Sequence, residues 1–203
     1  MARYLGPRFK IIRRLGENLP GLTRVNKKNI KKQYPPGEHG QSKKSKPSDY
    51  QLHLVEKQKL RFHYGVLEKQ LSKYSKLAFK SKKNTGLVFL YILERRLDNV
   101  LFRSGFFSTT KASRQAIVHK HILLNGNKTT IPSHVTKTGD IISFAKNSKV
   151  KSGNDVIKNE ITIPSYIAVD NVSKQINVIS NPIREDIPII VNEQLVVEYY
   201  SGR

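Results

Sequence analysis

The sequence predicts an α+β protein built from a basic N-terminal extension, a helical domain, and a module of two helices with a small antiparallel sheet. Three observations predict it. Apolar residues recur at helical spacing between 67 and 101. From His121 the pattern changes to short β-branched runs separated by Asn-Gly, Pro-Ser and Gly-Asp pairs. Basic residues crowd the first three quarters of the chain and are balanced by acids only in the last.

The extension is residues 1–47, which hold little evident core. Gly6-Pro7, Pro20-Gly21 and Pro35-Pro36-Gly37 punctuate it, with KKNIKK and KKSK between them. Two readings stand side by side: a loose basic tail, and a segment that orders against a partner. From Pro47-Ser48-Asp49 the pattern turns helical, with Ser48 or Asp49 as the N-cap. Leu67, Leu71, Tyr74 and Ala78 make one helical stripe, and Gly65 is expected to break the segment into two helices. This helical domain runs over 48–87.

Asn84-Thr85-Gly86 is read as a turn. Leu90, Leu93, Leu97, Val100 and Leu101 then form a strong apolar stripe. Ser108-Thr109-Thr110 starts a short helix over 110–119, with Ala112, Ala116 and Ile117 inward and Lys111, Arg114 and Gln115 on the opposite face. A strand at 121–124, a hairpin turn at Asn125-Gly126, a second strand over 127–131 and a third at IISFA complete the module over 88–150. Residues 151–189 continue as extended or strand-rich chain, and QLVVEYY near the end is also read as strand or extended.

Composition narrows the function. The 203 residues carry 37 Lys plus Arg against 15 Asp plus Glu, a formal charge of +22. By segment the net charge is +10 over 1–50, +7 over 51–85, +7 over 86–150 and −2 over 151–203. A compact body with that charge seeks a polyanion, nucleic acid first and an anionic membrane surface second. Cysteine is absent, which removes disulfides, thiolate nucleophiles and thiolate zinc sites. No apolar run reaches the roughly 18 residues of a membrane span. The start MARYLGPRFKIIRRLG lacks a signal-peptide core and is too short and mixed for a transit peptide, so the protein is expected to act where it is made.

Catalytic signatures are missing: the chain has no P-loop, no dinucleotide-binding glycine motif, no H-E-x-x-H and no G-x-S-x-G. Glu94 and Asp98 sit one helical turn apart, but Arg95 and Arg96 lie between them and ion pairing is the expected use. No enzyme, cofactor or metal is expected. In HKHILLNG, His119 and His121 have too few companions for a zinc site. They either cap a helix end and start a strand, or stand beside Lys111 and Arg114 on an anion-binding face. There the helix start at 108–110 would offer backbone N–H groups to phosphate.

The stretch LERRLDNVLFRSGFFSTTKASRQAIVHKHILLNGNKTTIPSHVTKTGDIISF resembles the RNA-binding module named after the fourth small-subunit ribosomal protein. tRNA synthetases, pseudouridine synthases and stress proteins share that module. The flanks ARYLGPRFKIIRRLG, YPPGEHGQ, SDYQLHLVEKQKLRFHYGVLEKQ and VNEQLVVEYYS resemble that ribosomal protein family itself, in the right order. GPRFKIIRRLG…LPGLTR is similar to its cyanobacterial and plastid branch, and heavy use of Lys, Asn and Ile suits an A+T-rich plastid genome.

The resemblance implies a structural constituent of the small subunit, with the module inserted into a helical domain that segment 190–203 rejoins. It implies primary binding to a helical junction in the five-prime domain of small-subunit rRNA, nucleation of subunit assembly, and an effect on accuracy near the path by which mRNA enters. The implied partners are rRNA, mRNA and the third and fifth small-subunit proteins, with no membrane and one copy per ribosome, in a plastid or else a bacterial cytoplasm. Carried over by matching position, the RNA-binding residues are Arg3, Arg8, Lys10, Arg13 and Arg14 in the extension, and Lys57, Lys59 and Arg61 in the EKQKLR helix. In the module they are Thr109, Lys111, Arg114, Gln115, His119 and His121. Lys120 stands where many members have Gly and adds a charge to that face, and the cysteine zinc knot of some bacterial members has no counterpart. Residues 147–159, where relatives tend toward a helix, contain Gly153-Asn154, and no helix is expected there. An RNA-modifying enzyme, an mRNA-binding regulator and a DNA-packaging protein are the rival readings.

Overall fold

The computed structural model describes residues 4–23, 30–42, 46–145, 148 and 162–202. The helices among them are α1 (Arg8–Leu15), α2 (Asp49–His63), α3 (Glu68–Phe79), α4 (Thr85–Glu94), α5 (Leu97–Arg103), α6 (Thr110–Val118) and α7 (Glu193–Ser201). The strands are β1 (Ile122–Leu124), β2 (Asn127–Lys128), β3 (Ile141–Phe144), β4 (Ile167–Asp170) and β5 (Gln175–Val178). The chain divides into two compact units, one of residues 1–89 and 189–203, the other of 90–188. The 147–159 stretch lies, Ser148 apart, outside the described residues.

In the first unit the extension has a core of its own, contrary to expectation. Ile11, Ile12, Leu19 and Leu22 are buried together, with Tyr4, Leu15, Ile30 and Phe62 packed against them. The charges at positions 8, 10, 13 and 14 mask this pattern in the sequence, although the apolar residues lie on one side of α1. Gly16 closes that helix in the left-handed region (φ 76°), its N–H donating to the Ile12 carbonyl.

Ser48 caps α2, its hydroxyl accepting the Gln51 amide at 3.3 Å. The chain then turns through Gly65 at φ 61°, a conformation that glycine adopts without the Cβ penalty, before α3 begins. Leu71, Tyr74 and Ala78 face inward from α3, while Leu67 serves as its N-cap residue rather than as part of the stripe. Asn84 likewise marks a helix start and not a free turn: its Oδ1 accepts the Gly86 and Leu87 amides at the head of α4.

The reading of QLVVEYY as strand is overturned. Those residues form α7, which packs on α2, and Val196, Tyr199 and Tyr200 bury one face at i, i+3 and i+4. Asn192 caps it by accepting the Gln194 and Leu195 amides. Two adjacent valines suggest strand by intrinsic preference, but packing against α2 outweighs a preference of a few tenths of a kcal/mol, on the order of the usual residue-to-residue spread.

In the second unit the apolar stripe from Leu90 to Leu101 is broken. Arg96 is extended (φ −68°, ψ 137°), ending α4 and opening α5. The chain at 132–136 fills the break: Leu97 N–H donates to the His134 carbonyl at 2.8 Å, Asp98 N–H to Pro132, and Thr136 N–H to Arg95. Glu94 and Asp98 are therefore not neighbours on one helix.

The five strands form one antiparallel sheet in the order β2-β1-β3-β5-β4. The β1–β2 hairpin turns through Asn125 (φ 50°) and Gly126 (φ 80°), as Asn-Gly predicts. Asn125 also accepts the Ile141 amide and donates to Asp140, tying the hairpin to β3. Strand β2 is shorter than expected, two residues instead of a run to Ile131. IPIIV at 187–191 is not a strand, whereas QINV and IAVD are β5 and β4. Leu97, Val100, Leu101, Ala116 and Ile117 from α5 and α6 meet Ile122, Ile142, Ile167, Ile176 and Val178 of the sheet in one core.

Candidate nucleic-acid interface

The second unit's candidate site is assembled along α6 and its C-terminal corner. Thr109 is the N-cap: it is buried, and its Oγ1 accepts the Ala112 amide at 3.3 Å. Its hydroxyl therefore closes the helix start instead of facing outward. Lys111 is half-buried and Gln115 exposed on the turns that follow.

Arg114 is held from below. Its Nη2 donates to Asp98 Oδ2 at 2.9 Å. The same carboxylate accepts from Arg96 Nε at 3.0 Å and Arg96 Nη2 at 2.7 Å, and Asp98 is fully buried. Two guanidinium groups thus share one buried carboxylate, and Arg114 is the partly exposed member of the cluster. A guanidinium pinned by a carboxylate keeps donors in a fixed fork and loses less freedom on meeting a phosphate than a loose one. Sequence reasoning missed Asp98 in this role, because the pairing spans 16 residues and no local spacing signals it.

Glu94 makes a second buried cluster. It accepts from Arg103 Nη2 at 2.8 Å, from the Tyr166 hydroxyl at 3.1 Å and from Asn99 Nδ2. Neither carboxylate is available as a general acid or base. Ion pairing is their use, as expected, though with Arg103, Arg96 and Arg114 in place of the intervening Arg95. Burial, and then the charge of Glu94, push the Tyr166 hydroxyl well above the ordinary tyrosine range against the opposing pull of Arg103.

At the corner, the backbone of HKH is a helix-ending motif. His119 is the last half-helical residue, and Lys120 follows in the left-handed region (φ 61°). Lys120 N–H donates to the Ile117 carbonyl and His121 N–H to Ala116, both at 3.0 Å, the paired bonds of a Schellman cap. The third residue of the cap runs directly into β1. The departure from Gly at position 120 thus falls on the residue where Gly is most favoured. Lys120→Gly is expected to raise the stability of the free protein by about 0.5–1 kcal/mol, the left-handed penalty less the extra entropy of an unfolded glycine. Thermal denaturation checks it. The same change removes one exposed charge from the face.

In the first unit the expected contacts divide. Lys10 and Arg14 are exposed on α1. Arg8 instead donates to the Leu22 carbonyl at 3.0 Å. Arg13 donates to Tyr34 and Pro35 carbonyls and stacks over the Tyr34 ring. Arg61 is half-buried over Phe62. Arg3 lies outside the described residues.

Lys57 and Lys59 correct the expectation most sharply, because both are buried. Lys57 Nζ donates to Glu68 at 2.9 Å and lies over the Tyr199 ring. Lys59 Nζ sits between Glu17 and Glu56, 2.6 Å from each. Burial alone would lower the Lys59 pKa, but the two carboxylates outweigh it and hold the ammonium above its usual range. These charges brace the unit internally.

Among the described residues no cluster of three or more His, Cys, Asp or Glu could hold a metal, and no helix is long and apolar enough to cross a membrane. What the geometry defines is a binding protein with a pre-organised cationic helix edge. Residues 3–94 match the model of the ribosomal protein S4/S9 N-terminal domain, and residues 95–142 match that of the S4 domain. Over the whole of both chains the protein is 49% identical to small ribosomal subunit protein uS4c of Gracilaria tenuistipitata var. liui, 46% to uS4c of Chlorella vulgaris and 44% to uS4 of Parasynechococcus marenigrum (strain WH8102). The chain belongs to the ribosomal protein S4 family.

Proposed function

We propose that this protein is a structural constituent of the small ribosomal subunit that binds its rRNA. The observation that carries the reading is the Arg96–Asp98–Arg114 cluster, which fixes a cation on the outer face of α6 beside Lys111, Gln115, His119 and Lys120. Side chains of this kind grip phosphates and helix shape, because the deep, narrow major groove of A-form RNA keeps its base edges out of reach. The finer reading is a primary binder of a helical junction in the five-prime domain that nucleates assembly. It includes neighbours among the small-subunit proteins (the third and fifth), an influence on accuracy where mRNA enters, and one copy per ribosome. Its support is the family match over residues 3–142, the full-length similarity to uS4 and uS4c proteins, and the matching flank motifs.

Relatives include plastid uS4c and bacterial uS4 proteins. A plastid ribosome is the favoured location, on the Lys-, Asn- and Ile-rich composition and the plastid uS4c relatives. Catalysis has no part in this reading, since Glu94 and Asp98 are committed to guanidinium groups.

The test is binding to a five-prime-domain transcript of small-subunit rRNA across a salt series with excess unrelated duplex RNA. Binding that survives the competitor at moderate salt supports junction-specific recognition, while loss to the competitor reduces the +22 charge to general adhesion. Arg114→Ala is expected to weaken binding about tenfold and to reduce the magnitude of the salt slope by about 0.7–0.9, one phosphate contact. Its stability should fall by no more than about 2 kcal/mol, because Asp98 keeps both hydrogen bonds from Arg96. Normal affinity in this variant would remove α6 from the interface.

A further inference from the structure

We propose that His119 and His121 form a stacking platform for an unpaired RNA base, so that this corner of the second unit reads a flipped-out nucleotide as well as phosphate. The proposal rests on the rRNA reading above and adds the chemical class of group that this part of the face receives.

Three features point to stacking. The imidazole rings lie in near-parallel planes, 14° apart, with centroids separated by 6.2 Å. His119 is exposed and His121 half-buried, so aromatic surface is open to a ligand. Most of all, the backbone beneath them is rigid. The Schellman cap fixes His119, Lys120 and His121 through the Ile117 and Ala116 carbonyls, and Ala145 N–H donates to the His121 carbonyl at 2.9 Å. Ile122, the next residue, is fully buried in the core. The left-handed Lys120 turns the chain between the two histidines, and both rings share one stack.

A phosphate would meet the ring N–H groups at the imidazole edges and leave the parallel ring faces unused. A structural zinc site needs further ligands, and among the described residues none cluster here. A base, by contrast, has a π-face whatever its identity, and histidine is among the side chains on which splayed-out RNA bases stack. Gln115, one helical turn before His119 and exposed, offers both donor and acceptor to the edge of such a base. Lys120 stands ready for the adjoining phosphate.

The chain has no tryptophan, so His119→Trp places a single indole fluorophore in the platform. Titrated with a plastid five-prime-domain small-subunit rRNA transcript, its emission should fall at least twofold as the complex forms. A bound complex with unquenched emission would overturn the proposal. A second arm uses affinity. The double variant His119→Ala/His121→Ala should bind the transcript roughly tenfold more weakly with an unchanged salt slope, and His119→Phe/His121→Phe should recover most of that loss, as stacking requires. If phenylalanine fails to restore binding, or if the salt slope drops with the alanines, the histidines act through charge and the platform is wrong. Far-ultraviolet circular dichroism of each free variant should match wild type; a collapsed spectrum would assign the pair to folding and reject the platform. Failure of the rRNA reading looks different: the unaltered protein would then show no preference for the transcript over unrelated duplex RNA.

Discussion

Replacing Glu94 by Ala should destabilise the second unit by about 3–5 kcal/mol, the usual cost of removing one partner from a buried ion pair. Glu94 is fully buried, and three donors converge on its carboxylate from positions 99, 103 and 166. Without it the buried Arg103 guanidinium loses the carboxylate that accepts from its Nε and Nη2, which costs more than the pair itself contributes. Glu94→Gln keeps a carbonyl for one donor and removes the charge, so an intermediate loss is expected. Tyr166→Phe deletes a single hydrogen bond and should cost about 1 kcal/mol.

Equilibrium denaturation of the three variants, followed by circular dichroism, orders them. A Glu94→Ala cost no larger than that of Tyr166→Phe would show that the cluster is wet or loosely held. The same cluster predicts an alkaline limit. The folded-state pKa of Tyr166 lies above its unfolded value near 10.0, so its contribution is complete below pH 10.0 and is lost as pH rises past it toward the folded pKa. Melting temperatures measured from pH 8 to pH 11 should therefore fall less steeply at the alkaline end in Tyr166→Phe than in wild type.

Leu97→Asp should unfold the second unit outright. Leu97 opens α5 with no exposed surface and belongs to the cluster where α5, α6 and the sheet meet. The substitution removes about 2 kcal/mol of apolar burial and places a carboxylate within an apolar cluster. A total above about 4 kcal/mol is expected, a large share of the 5–15 kcal/mol that holds a typical domain together. Leu97→Met, close in volume, should cost less than about 1.5 kcal/mol and keep RNA binding. Limited proteolysis reads the outcome, with new cleavage between 90 and 188 in the Asp variant and a wild-type pattern in the Met variant. A stable, protease-resistant Leu97→Asp protein would mean that the core has been misplaced.

Several elements were legible because their causes are local. Ser48 and Thr109 cap α2 and α6 as their position before helical runs predicts, Gly65 breaks the helices, and Asn125-Gly126 turns the hairpin. Each depends on hydrogen bonds or dihedral preferences within four residues. The misreadings share the opposite character. QLVVEYY is helical because α2 offers a surface for its tyrosines, and α4 ends at Glu94 because chain from 132–136 bonds into the break. The small core of the extension was hidden because Phe62, which helps to cover it, lies some 40 residues onward.

The candidate site divides the same way. Sequence alone determined the surplus of 22 positive charges, the motif order that places the chain in its family, and the residue types set out along α6. These are one-dimensional properties, readable without knowing what packs on what. Only the tertiary structure decided which cations remain available. It buried Lys57 and Lys59 against carboxylates, turned Arg8 and Arg13 to backbone carbonyls, and clamped Arg114 with Asp98. It also laid His119 and His121 in parallel planes. The physical reason is that a charge's use depends on its nearest counter-charge and its access to water, and long-range folding sets both.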